Sequence, residues 1–495
     1  MAPLGATFAS FGDSIAVVDR DGEQSYRVLD AAATAVASAL VDVGVGPGDV
    51  VATVCPAGRW WLAGTYGVWR AGAVLLPLEA SHPPAELRHP VADSAVTHVL
   101  CTSESSELAN ELAAFTDAQV VDVRVAIRAS LDVTLPDVAD DSDAMIVYTS
   151  GTTGLPKGVV HTHRSLAAQC SAMVEAWAWT AADRIVCVLP LHHVHGLVNV
   201  TFTSLSVGAT LEAPGRFDAI ETWERLASGL ITVFMAVPTI YSRLVRAWSD
   251  ADDATKARWS DGAALLRLMV SGSAALPVST LEQWREISGH VLLERYGMTE
   301  LGMALGNTLD RRVPGHVGWP FPGVKVRIVN EAGVVVGDGD VGELLVRGTQ
   351  VFNRYLNRPD ATAESFIDGW FRTGDVAQQT PDGYRLRGRA SVDIIKSGGE
   401  KVSALEIEEV FRTHPAIADC AVVGLPDDEW GERVAIAWVA ASGNRPSAAE
   451  FRAWGKERLA PAKVPFNYLC LDELPRNPMG KVTKVAVKER FESQG

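Results

Sequence analysis

A run of eleven residues at positions 148–158, YTSGTTGLPKG, constrains this chain more than any other stretch. It combines four small hydroxyl side chains with three glycines and one lysine, and an apolar run at 144–148 leads into it as a short buried strand. Glycines let backbone N–H groups turn toward an anion, hydroxyls add donors, and Lys157 adds a mobile positive charge. The stretch therefore predicts a phosphate-binding loop before a helix that Ser165 could cap. It is not a Walker A loop, because no Gly-Lys-Ser/Thr ending is present.

The size and charge of the chain limit what it binds. Its 495 residues, 47% of them apolar, supply enough material for two or more hydrophobic cores. A formal net charge of −16 argues against nucleic acid or an anionic membrane as the main partner, because both require a basic surface. The most apolar region, 185–205, contains Pro190, three histidines and Asn199, which makes it a poor membrane span.

The cysteines and the first residues predict a cytoplasmic protein. Six cysteines are scattered without a CxxC pair, which is typical of reduced thiols rather than of a disulfide framework. The opening sequence, MAPLGATFASFGDS, lacks the basic start and long apolar stretch of a secretory signal, and it is not an arginine-rich transit peptide.

The order of apolar segments predicts an α/β fold in two domains. Helical and strand-like segments alternate in the first part of the chain, which is typical of mostly parallel sheets covered by helices. Residues from about 318 to 390 change to β-type segments with glycine turns, which predicts a small distorted barrel within a large domain, 1–390. A small α+β domain follows at 391–495. The individual elements predicted are helices at 28–43, 406–411 and 447–459 and strands at 50–55, 184–189, 210–212, 233–237, 266–270, 420–423 and 434–439.

The stretch at 148–158 resembles the phosphate-binding signature of the adenylate-forming superfamily, which includes acyl-CoA synthetases, firefly luciferase and the adenylation domains of peptide synthetases. Those enzymes activate a carboxylate with ATP as an acyl-adenylate and usually pass the acyl group to a thiol. Later segments match the superfamily in the same order, so the resemblance covers essentially the whole chain. It implies that ATP is bound by Thr149, Ser150, Gly151, Thr152, Thr153, Gly154, Lys157, Ser273, Ala274, Ala275, Glu294, Arg295, Tyr296, Gly297, Thr299, Asp375 and Arg389.

The segment ERYGMTE, 294–300, resembles the superfamily signature for adenine, phosphates and metal. The resemblance implies that Tyr296 packs on adenine, Thr299 reaches the phosphates, and Glu300 holds Mg2+ together with Thr149. A carboxylate suits this role because Mg2+ takes oxygen ligands and neutralises phosphate charge that otherwise repels the attacking carboxylate. The segment VSGSAAL, 270–276, resembles the part that lies against adenine, although by itself it is an ordinary small-residue turn.

The segment GWFRTGD, 369–375, resembles the part whose aspartate accepts both ribose hydroxyls. Two hydroxyl donors facing one carboxylate make a specific, charge-assisted pair of hydrogen bonds. The resemblance gives this role to Asp375 and a second ribose contact to Arg389. The alternative for Asp375 is a simple Gly-Asp turn before a strand.

The segment LHHVHG, 191–196, resembles the acyl-pocket motif, in which His193 would sit beside the reacting carboxylate. His192, His193 and His195 could instead bind a metal, but no nearby cysteine or acid has standard zinc spacing. A third alternative is that one or two of these histidines pack in the core.

The junction after Arg389, RASVDIIKSGGEK, is similar to the superfamily's hinge and the loop that follows it, with one extra residue. A polar link between two domains is where backbone angles can absorb a domain rotation. The pivot candidates are Ser391, Val392 and Asp393, and the glycine loop that would approach the pantetheine of CoA contains Ser397, Gly398 and Gly399.

The segment PRNPMGK, 475–481, resembles the motif that carries the adenylation lysine. A primary ammonium on a loop shaped by proline and glycine can bridge a carboxylate and an α-phosphate as negative charge accumulates. Lys481 is therefore the expected catalytic lysine of a mobile C-terminal domain. The alternative is an exposed lysine in the tail.

Arg295 is the residue expected to choose the acid. The corresponding superfamily position often holds a small residue, whereas a guanidinium there strands a buried charge unless the substrate brings a second carboxylate. Malonate or methylmalonate would supply it, and several motifs resemble malonyl-CoA synthetases more closely than acetate, aryl or long-chain enzymes. The alternative is an internal pair of Arg295 with Glu294 or Asp310. The expected acyl-site residues are Arg295, His193, Val194, Met298 and Met303.

These features together predict an AMP-forming acyl-CoA synthetase, with ATP, Mg2+ and CoA as cofactor and co-substrates. Lys481, Glu300, Thr149 and His193 are the expected catalytic residues. The alternatives are a monocarboxylate–CoA ligase, an adenylation enzyme serving a carrier protein, and a non-catalytic ligand-binding homologue. The sequence does not identify any downstream polyketide or fatty-acid enzyme as a partner.

Overall fold

The structure is a computed structural model that describes residue 4 and residues 8–128, 133–149, 156–390, 392–397, 400–427, 430–441, 445–477 and 481–493. The sequence-predicted residues outside this part of the chain are Ser150, Gly151, Thr152, Thr153, Gly154, Ser391, Gly398 and Gly399.

The largest sheet has nine strands and a parallel centre. Its central strand, Val233–Ala236, is apolar and every residue of it is buried, because a parallel strand is covered on both faces. Antiparallel strands form both edges. In spatial order the strands are β15 (Trp319–Pro320), β14 (Gly302–Gly306), β13 (Leu293–Met298), β12 (Leu268–Ser271), β11 (Val233–Ala236), β9 (Arg184–Val186), β10 (Thr210–Glu212), β1 (Ile15–Asp19) and β2 (Gly22–Ser25).

A second sheet of seven strands contains the predicted phosphate-binding stretch. That stretch joins β7 to β8, and the antiparallel register sets Thr149 opposite Lys157. In spatial order the strands are β18 (Arg354–Tyr355), β8 (Lys157–Thr162), β7 (Asp143–Thr149), β4 (Val74–Pro77), β3 (Val50–Thr53), β5 (His98–Cys101) and β6 (Gln119–Asp122).

Two five-stranded sheets follow. The third sheet is antiparallel and consists of β16 (Lys325–Val329), β17 (Val341–Arg347), β20 (Trp370–Thr380), β19 (Phe366–Ile367) and β21 (Gly383–Arg389). The fourth sheet lies beyond Arg389 and packs around hydrophobic clusters of its own. It consists of β23 (Glu400–Ser403), β22 (Ile394–Ser397), β25 (Gly431–Ala440), β24 (Ile417–Asp427) and β26 (Asn467–Leu471).

Helices of varied length connect the strands. Within the described residues, none of them combines the length and the apolar character that a membrane crossing requires. The α-helices are α1 (Phe8–Phe11), α2 (Tyr26–Asp42), α3 (Arg59–Arg70), α4 (Pro84–Asp93), α5 (Ser106–Ala113), α6 (Val123–Ala126), α7 (His163–Trp177), α8 (Thr203–Ser206), α9 (Ala219–Leu226), α10 (Pro238–Asp250), α11 (Asp253–Ala264), α12 (Val278–Ser288), α13 (Pro359–Glu364), α14 (Ala404–Arg412), α15 (Ala448–Lys456) and α16 (Lys484–Glu492). A π-helix spans His195–Phe202, and short 3₁₀ turns span Ser103–Ser105 and Pro461–Lys463.

The α/β fold class predicted from the sequence is confirmed, but local details differ. Helix α7 is capped by Thr162, not by Ser165, which is the third residue of the helix and whose hydroxyl accepts a hydrogen bond from the Thr162 N–H. The region near 195–206, for which the sequence analysis predicted no helix, is helical and buried around nearly its whole circumference. The β-rich part begins at Lys325 rather than near 318, because Trp319–Pro320 pairs with β14 of the nine-stranded sheet.

Thr162→Ala is expected to destabilise the start of α7. The Thr162 hydroxyl accepts the Ser165 N–H at 3.1 Å, and loss of such a cap costs about 1 kcal/mol. Hydrogen exchange of a peptide covering 162–168 should become faster and the melting temperature should fall, whereas Thr162→Ser should resemble the wild type. Equal exchange in the two variants would contradict the assignment of the cap.

Candidate active site

Strand β13 contributes side chains to two separate polar clusters. Successive residues of a strand point to opposite faces, so Arg295 points away from Glu294 and Tyr296. Arg295 contacts Ser273, just beyond β12, whereas Tyr296 contacts Asp375 in the third sheet. The ERYGMTE segment therefore connects the two sides of the site.

The first cluster joins Tyr296, Asp375 and Arg389. The Tyr296 hydroxyl donates to Asp375 Oδ2 at 2.5 Å, and Arg389 Nε donates to Asp375 Oδ1 at 3.3 Å. Strands β20 and β21 set Asp375 and Arg389 opposite each other in register. Burial and the Asp375 carboxylate raise the pKa of Tyr296 well above its usual value, so the phenol keeps its proton. The structure thus brings together three residues that the sequence predicted to bind the nucleoside.

A further group of residues, separate from the two clusters of β13, surrounds the Glu300 carboxyl. Glu300 is buried, and burial raises its pKa. The Tyr355 hydroxyl donates to Glu300 Oε1 at 2.8 Å, and the Lys157 ammonium lies 5.0 Å from the centre of the Tyr355 ring. Tyr355 thereby connects the lysine of the predicted phosphate loop to the predicted metal ligand. The sequence analysis missed Tyr355, because its role depends on the pairing of β18 with β8.

His161 holds the backbone of Thr299 in place. Its Nε2–H donates to the Thr299 carbonyl at 2.8 Å, and burial lowers the pKa of the imidazole to about 4, so the ring is neutral. Gln169 donates to the other ring nitrogen, Nδ1, at 3.4 Å, which keeps the proton on Nε2. The sequence analysis also missed His161; its only signal was its place three residues beyond the phosphate loop.

Arg295 is a buried cation, only 6% exposed, without a carboxylate partner among the described residues. Its Nη2 donates to Ser273 Oγ at 3.2 Å, and its Nε has no acceptor. Burial lowers the pKa of the guanidinium to about 10, so it remains charged at neutral pH. Neither internal pairing considered from the sequence occurs, because Glu294 accepts from the Gly315 N–H and Asp310 accepts from the Thr308 hydroxyl.

His195 lies on the other side of Ser273. Its Nδ1 is 3.2 Å from Ser273 Oγ, and its Nε2 is buried without a partner. Because arginine can only donate, Ser273 accepts from Arg295 and can give its own proton to His195 Nδ1. Burial lowers the pKa of His195 well below its usual value, so the neutral ring carries its proton on Nε2. Arg295 and His195 therefore each present a buried N–H donor that no residue of the described part of the chain accepts. Ser273 was predicted to contact adenine and His195 was considered only as a metal ligand or core residue.

The other predicted acyl-site residues lie in different surroundings. His193 is half-buried with its ring 3.9 Å from that of His192, and burial lowers its pKa to about 3. Val194 and Met298 are partly buried against the main core, and Met303 is buried on β14 opposite Gly297. His192 pairs with Glu79 at 3.2 Å. Within the described part of the chain, no group of three histidine, cysteine or acidic residues is arranged to hold a metal.

The remaining predicted ATP residues of this region differ in exposure. Ala274 and Ala275 are exposed, which leaves them accessible to a ligand. Gly297 has no room for a side chain, because a Cβ there would lie 2.0 Å from the Gly302 carbonyl oxygen. Glu294 is buried, and its Oε1 accepts the Gly315 N–H at 2.7 Å.

The C-terminal residues form a separate group. Asp393 accepts the Arg389 N–H at 3.0 Å, and the Val392 N–H donates to the Arg389 carbonyl at 3.1 Å, so both junction residues are bonded to β21. Ser397 is buried on β22. Lys481 is exposed, and its backbone N–H donates to Asn477 Oδ1 at 2.9 Å.

The chain matches known proteins over almost its whole length. Residues 5–356 match the AMP-binding enzyme family, and residues 406–481 match the AMP-binding enzyme C-terminal domain. The mitochondrial malonate–CoA ligase of Homo sapiens is 40% identical, with 99% of this chain and 92% of the relative covered. The malonate–CoA ligase of Arabidopsis thaliana is 41% identical over 88% of this chain and 76% of the relative.

The structure is also similar to solved structures over almost the whole chain. ATP-bound MatB from Rhodopseudomonas palustris superposes with a TM-score of 0.91 at 32% identity, and 99% of each chain is covered. The apo form of the same protein superposes with a TM-score of 0.81 over 99% of each chain, again at 32% identity.

The wild type is expected to lose stability as the pH rises and Glu294 ionises, and the variant Glu294→Gln is expected not to show this loss. Burial raises the pKa of Glu294 from 4.5 to about 8, so the folded protein holds this proton more tightly than the unfolded chain. The stabilisation from the protonated carboxyl is complete below about pH 4.5 and disappears by about pH 8. The variant should melt like the wild type at pH 5 and higher than the wild type at pH 8.5. An exposed control, Glu282→Gln, should show no such difference, and a pH-independent gap for Glu294→Gln would contradict the prediction.

Proposed function

The chain belongs to the AMP-binding enzyme family, and we propose that it is an ATP-dependent ligase that joins malonate or 2-methylmalonate to CoA through an acyl-adenylate. It is an AMP-forming acyl-CoA ligase and uses ATP, Mg2+ and CoA. The observation that carries the choice of acid is the buried Arg295 guanidinium, whose only described hydrogen-bond partner is the neutral Ser273 hydroxyl.

The cost of burying Arg295 favours a substrate with two carboxylates. An unpaired charge inside a protein costs several kcal/mol, and a carboxylate brought by the substrate would offset that cost. Arg295 and His195 each carry an N–H without an acceptor, and Ser273 holds the two side chains together. A monocarboxylate would leave these donors unpaired, because its one carboxylate is consumed in the reaction. A dicarboxylate such as malonate can react at one end and bind at the other.

The relatives support the same substrate class. Proteins from Homo sapiens and Arabidopsis thaliana that are 40–41% identical to this chain are malonate–CoA ligases, and MatB crystallised with ATP. Malonate and methylmalonate differ by one methyl group, worth about 1 kcal/mol in an apolar pocket. We therefore assign the discrimination between them to the apolar residues near the site, Val194, Met298 and Met303.

The first half-reaction forms the acyl-adenylate. A carboxylate oxygen of the acid attacks the α-phosphorus of ATP, a new P–O bond forms, and the bond to pyrophosphate breaks. The Tyr296 ring would pack on adenine, Asp375 and Arg389 would hold the ribose, and Thr299 and Lys157 would contact the phosphates. Lys481 would bridge the carboxylate and the α-phosphate, where its charge offsets the negative charge that accumulates.

The residues near the phosphate loop suit Mg2+. Glu300 offers a carboxylate whose Oε1 accepts from Tyr355, and no described residue bonds its Oε2. Thr149 adds a hydroxyl at the end of β7, opposite Lys157. Oxygen donors of this kind match the preference of Mg2+, which would neutralise charge on the phosphates.

The second half-reaction transfers the acyl group. The CoA thiolate attacks the carbonyl carbon of the adenylate, a thioester forms, and AMP leaves with the bonding electrons. Ser397, Gly398 and Gly399 would approach the pantetheine after the C-terminal domain, 391–495, turns against the rest of the chain. Removal of Lys481 by that rotation would make room for CoA in the same carboxylate site.

The cysteines support a reducing compartment, which we take to be the cytoplasm. All six are free, and five of them are buried. Burial raises the pKa of the five buried thiols, for example that of Cys187 to about 11, which keeps these five protonated and unreactive.

The proposed activity is tested by AMP release with ATP, Mg2+ and CoA. Malonate, methylmalonate, succinate, acetate, butyrate and benzoate are compared as acids. Malonate or methylmalonate should give the highest kcat/KM. A monocarboxylate that gives the highest value would contradict the substrate assignment, and transfer to a carrier protein without transfer to CoA would contradict the thiol assignment.

Arg295→Met is expected to lower kcat/KM for malonate by about 10²- to 10³-fold, because the distal carboxylate loses a buried charged partner. The relative rate with butyrate should rise, since the variant no longer buries an unpaired cation. The matched control is Arg312→Met, which removes a half-buried arginine that donates to the Val291 carbonyl outside this cluster. An unchanged preference for malonate in Arg295→Met would contradict the role of Arg295.

A further inference from the structure

Lys484 carries a charge that the proposed reaction does not use. It is the first residue of α16, three residues after Lys481, and its side chain is only 9% exposed. Its ammonium lies 2.8 Å from Asp393 Oδ1 and 2.7 Å from Glu408 Oε1. We call these three residues the buried triad. A buried lysine between two carboxylates is costly to desolvate, so its geometry is held closely by its partners.

The two carboxylates of the triad belong to different parts of the structure. Glu408 lies on α14 and is fixed within the C-terminal domain, because it accepts the Val422 N–H at 2.8 Å and pairs with Arg412 at 3.2 Å. Asp393 lies at the junction, where its second oxygen accepts the Arg389 N–H and its own N–H donates to the Arg389 carbonyl at 2.8 Å. The triad therefore ties the start of α16 both to the C-terminal domain and to the junction.

A continuous set of contacts leads from the buried triad to the cluster of Tyr296, Asp375 and Arg389. Arg389 is bonded to Asp393 through its backbone and to Asp375 through its side chain, and Asp375 accepts from Tyr296. Burial opposes ionisation of Asp393, but the Lys484 ammonium outweighs it and lowers the pKa of that carboxyl, with a smaller contribution from Lys481. Lys481 precedes Lys484 by only three residues, so the same triad is close to it along the chain.

The described residues around Lys481, 475–477 and 481–483, are bonded to one another and to the C-terminal domain. Arg476 pairs with Asp419, and the Thr483 N–H donates to the Pro475 carbonyl at 2.9 Å. The Asn477 N–H donates to the Lys481 carbonyl at 2.9 Å. The chain then enters α16 at Lys484. These contacts limit where the backbone of Lys481 lies, and Lys484, which is three residues further along, is tied to the junction.

We propose that Lys484 is a positioning residue for adenylation, which holds the Lys481 loop in register with the junction through Asp393. This role rests on the proposed two-step reaction. Lys484 does not touch the reacting atoms; it sets where the Lys481 ammonium lies when the α-phosphate is attacked. Because Lys481 has no part in the attack of CoA on a finished adenylate, loss of Lys484 affects the first half-reaction and spares the second.

The experiment measures the two half-reactions separately in the full chain. Adenylation is followed as acid-dependent ATP–pyrophosphate exchange, and thioester formation is followed from CoA and chemically prepared acyl-adenylate. In Lys484→Met, exchange should fall about 10²-fold in kcat with little change in KM, since a misplacement of about 1 Å is enough for a loss of that size. Thioester formation should stay within about threefold of the wild type, as it should in Lys481→Ala.

Three further variants separate positioning from folding. Asp393→Asn keeps the pair of Lys484 with Glu408 and should show the same selective loss of exchange, even if Lys484→Met does not fold. Lys484→Arg keeps the charge and should restore most of the exchange. The control is Lys488→Met, one turn further along α16, where a lysine one third exposed lies 3.8 Å from Glu432; it should leave both rates unchanged.

Each result decides the proposal. Equal losses in both half-reactions, together with a lower melting temperature, would show that the triad only stabilises the domain. Full exchange activity in Asp393→Asn would also overturn it. The acid used is the one that gives the fastest exchange in the wild type, so a wrong assignment of malonate and a wrong assignment of Lys484 give different results.

Discussion

The free-energy cost of burying charge is the constraint on which the site depends. Three of the charged groups around the site have polar partners: Asp375 binds Tyr296 and Arg389, Glu300 binds Tyr355, and Lys484 binds two carboxylates. Arg295 is the exception, because its described partner is a neutral hydroxyl. Because the buried guanidinium of Arg295 has no anionic partner among the described residues, a second carboxylate on the substrate would offset the free-energy cost of burying its charge.

The sheets determine where these groups meet. Strand β13 points Arg295 to one side and Tyr296 to the other. One strand therefore contributes both to the contact with Ser273 and to the contact with Asp375. The third sheet brings Asp375 and Arg389 together in register, and the short strand β18 carries Tyr355 to Glu300. Rigid β-structure thus holds these polar groups, while Lys481, which we propose to move with the C-terminal domain, lies beyond the junction.

Much of the fold followed from patterns in the chain. Apolar segments with helical or strand-like spacing predicted the α/β class, and the strand at 210–212 was predicted with its observed limits. Boundaries were less accurate, because a strand ends where its hydrogen-bond partner ends, and pairing is not encoded locally. The cap of α7 was wrong by three residues, since Thr162 and Ser165 form a reciprocal pair and both have side chains that can cap. The helix at 195–206 was missed because it is buried on nearly all sides, so its residues show no amphipathic period.

By itself the sequence determined which motifs the chain contains, and it predicted their roles: a phosphate-binding stretch, an acidic metal ligand, an aspartate for ribose, a lysine near the C-terminus and an arginine before Tyr296. Such motifs depend on the types of the residues and on their order along the chain, and both can be read from the sequence. Only the tertiary structure decided that Ser273 joins Arg295 to His195, that Tyr355 bonds Glu300, that His161 holds Thr299, and that Lys484 lies between Asp393 and Glu408. Each of these contacts joins residues well apart in sequence, and whether a buried charge finds a partner depends on how distant segments pack.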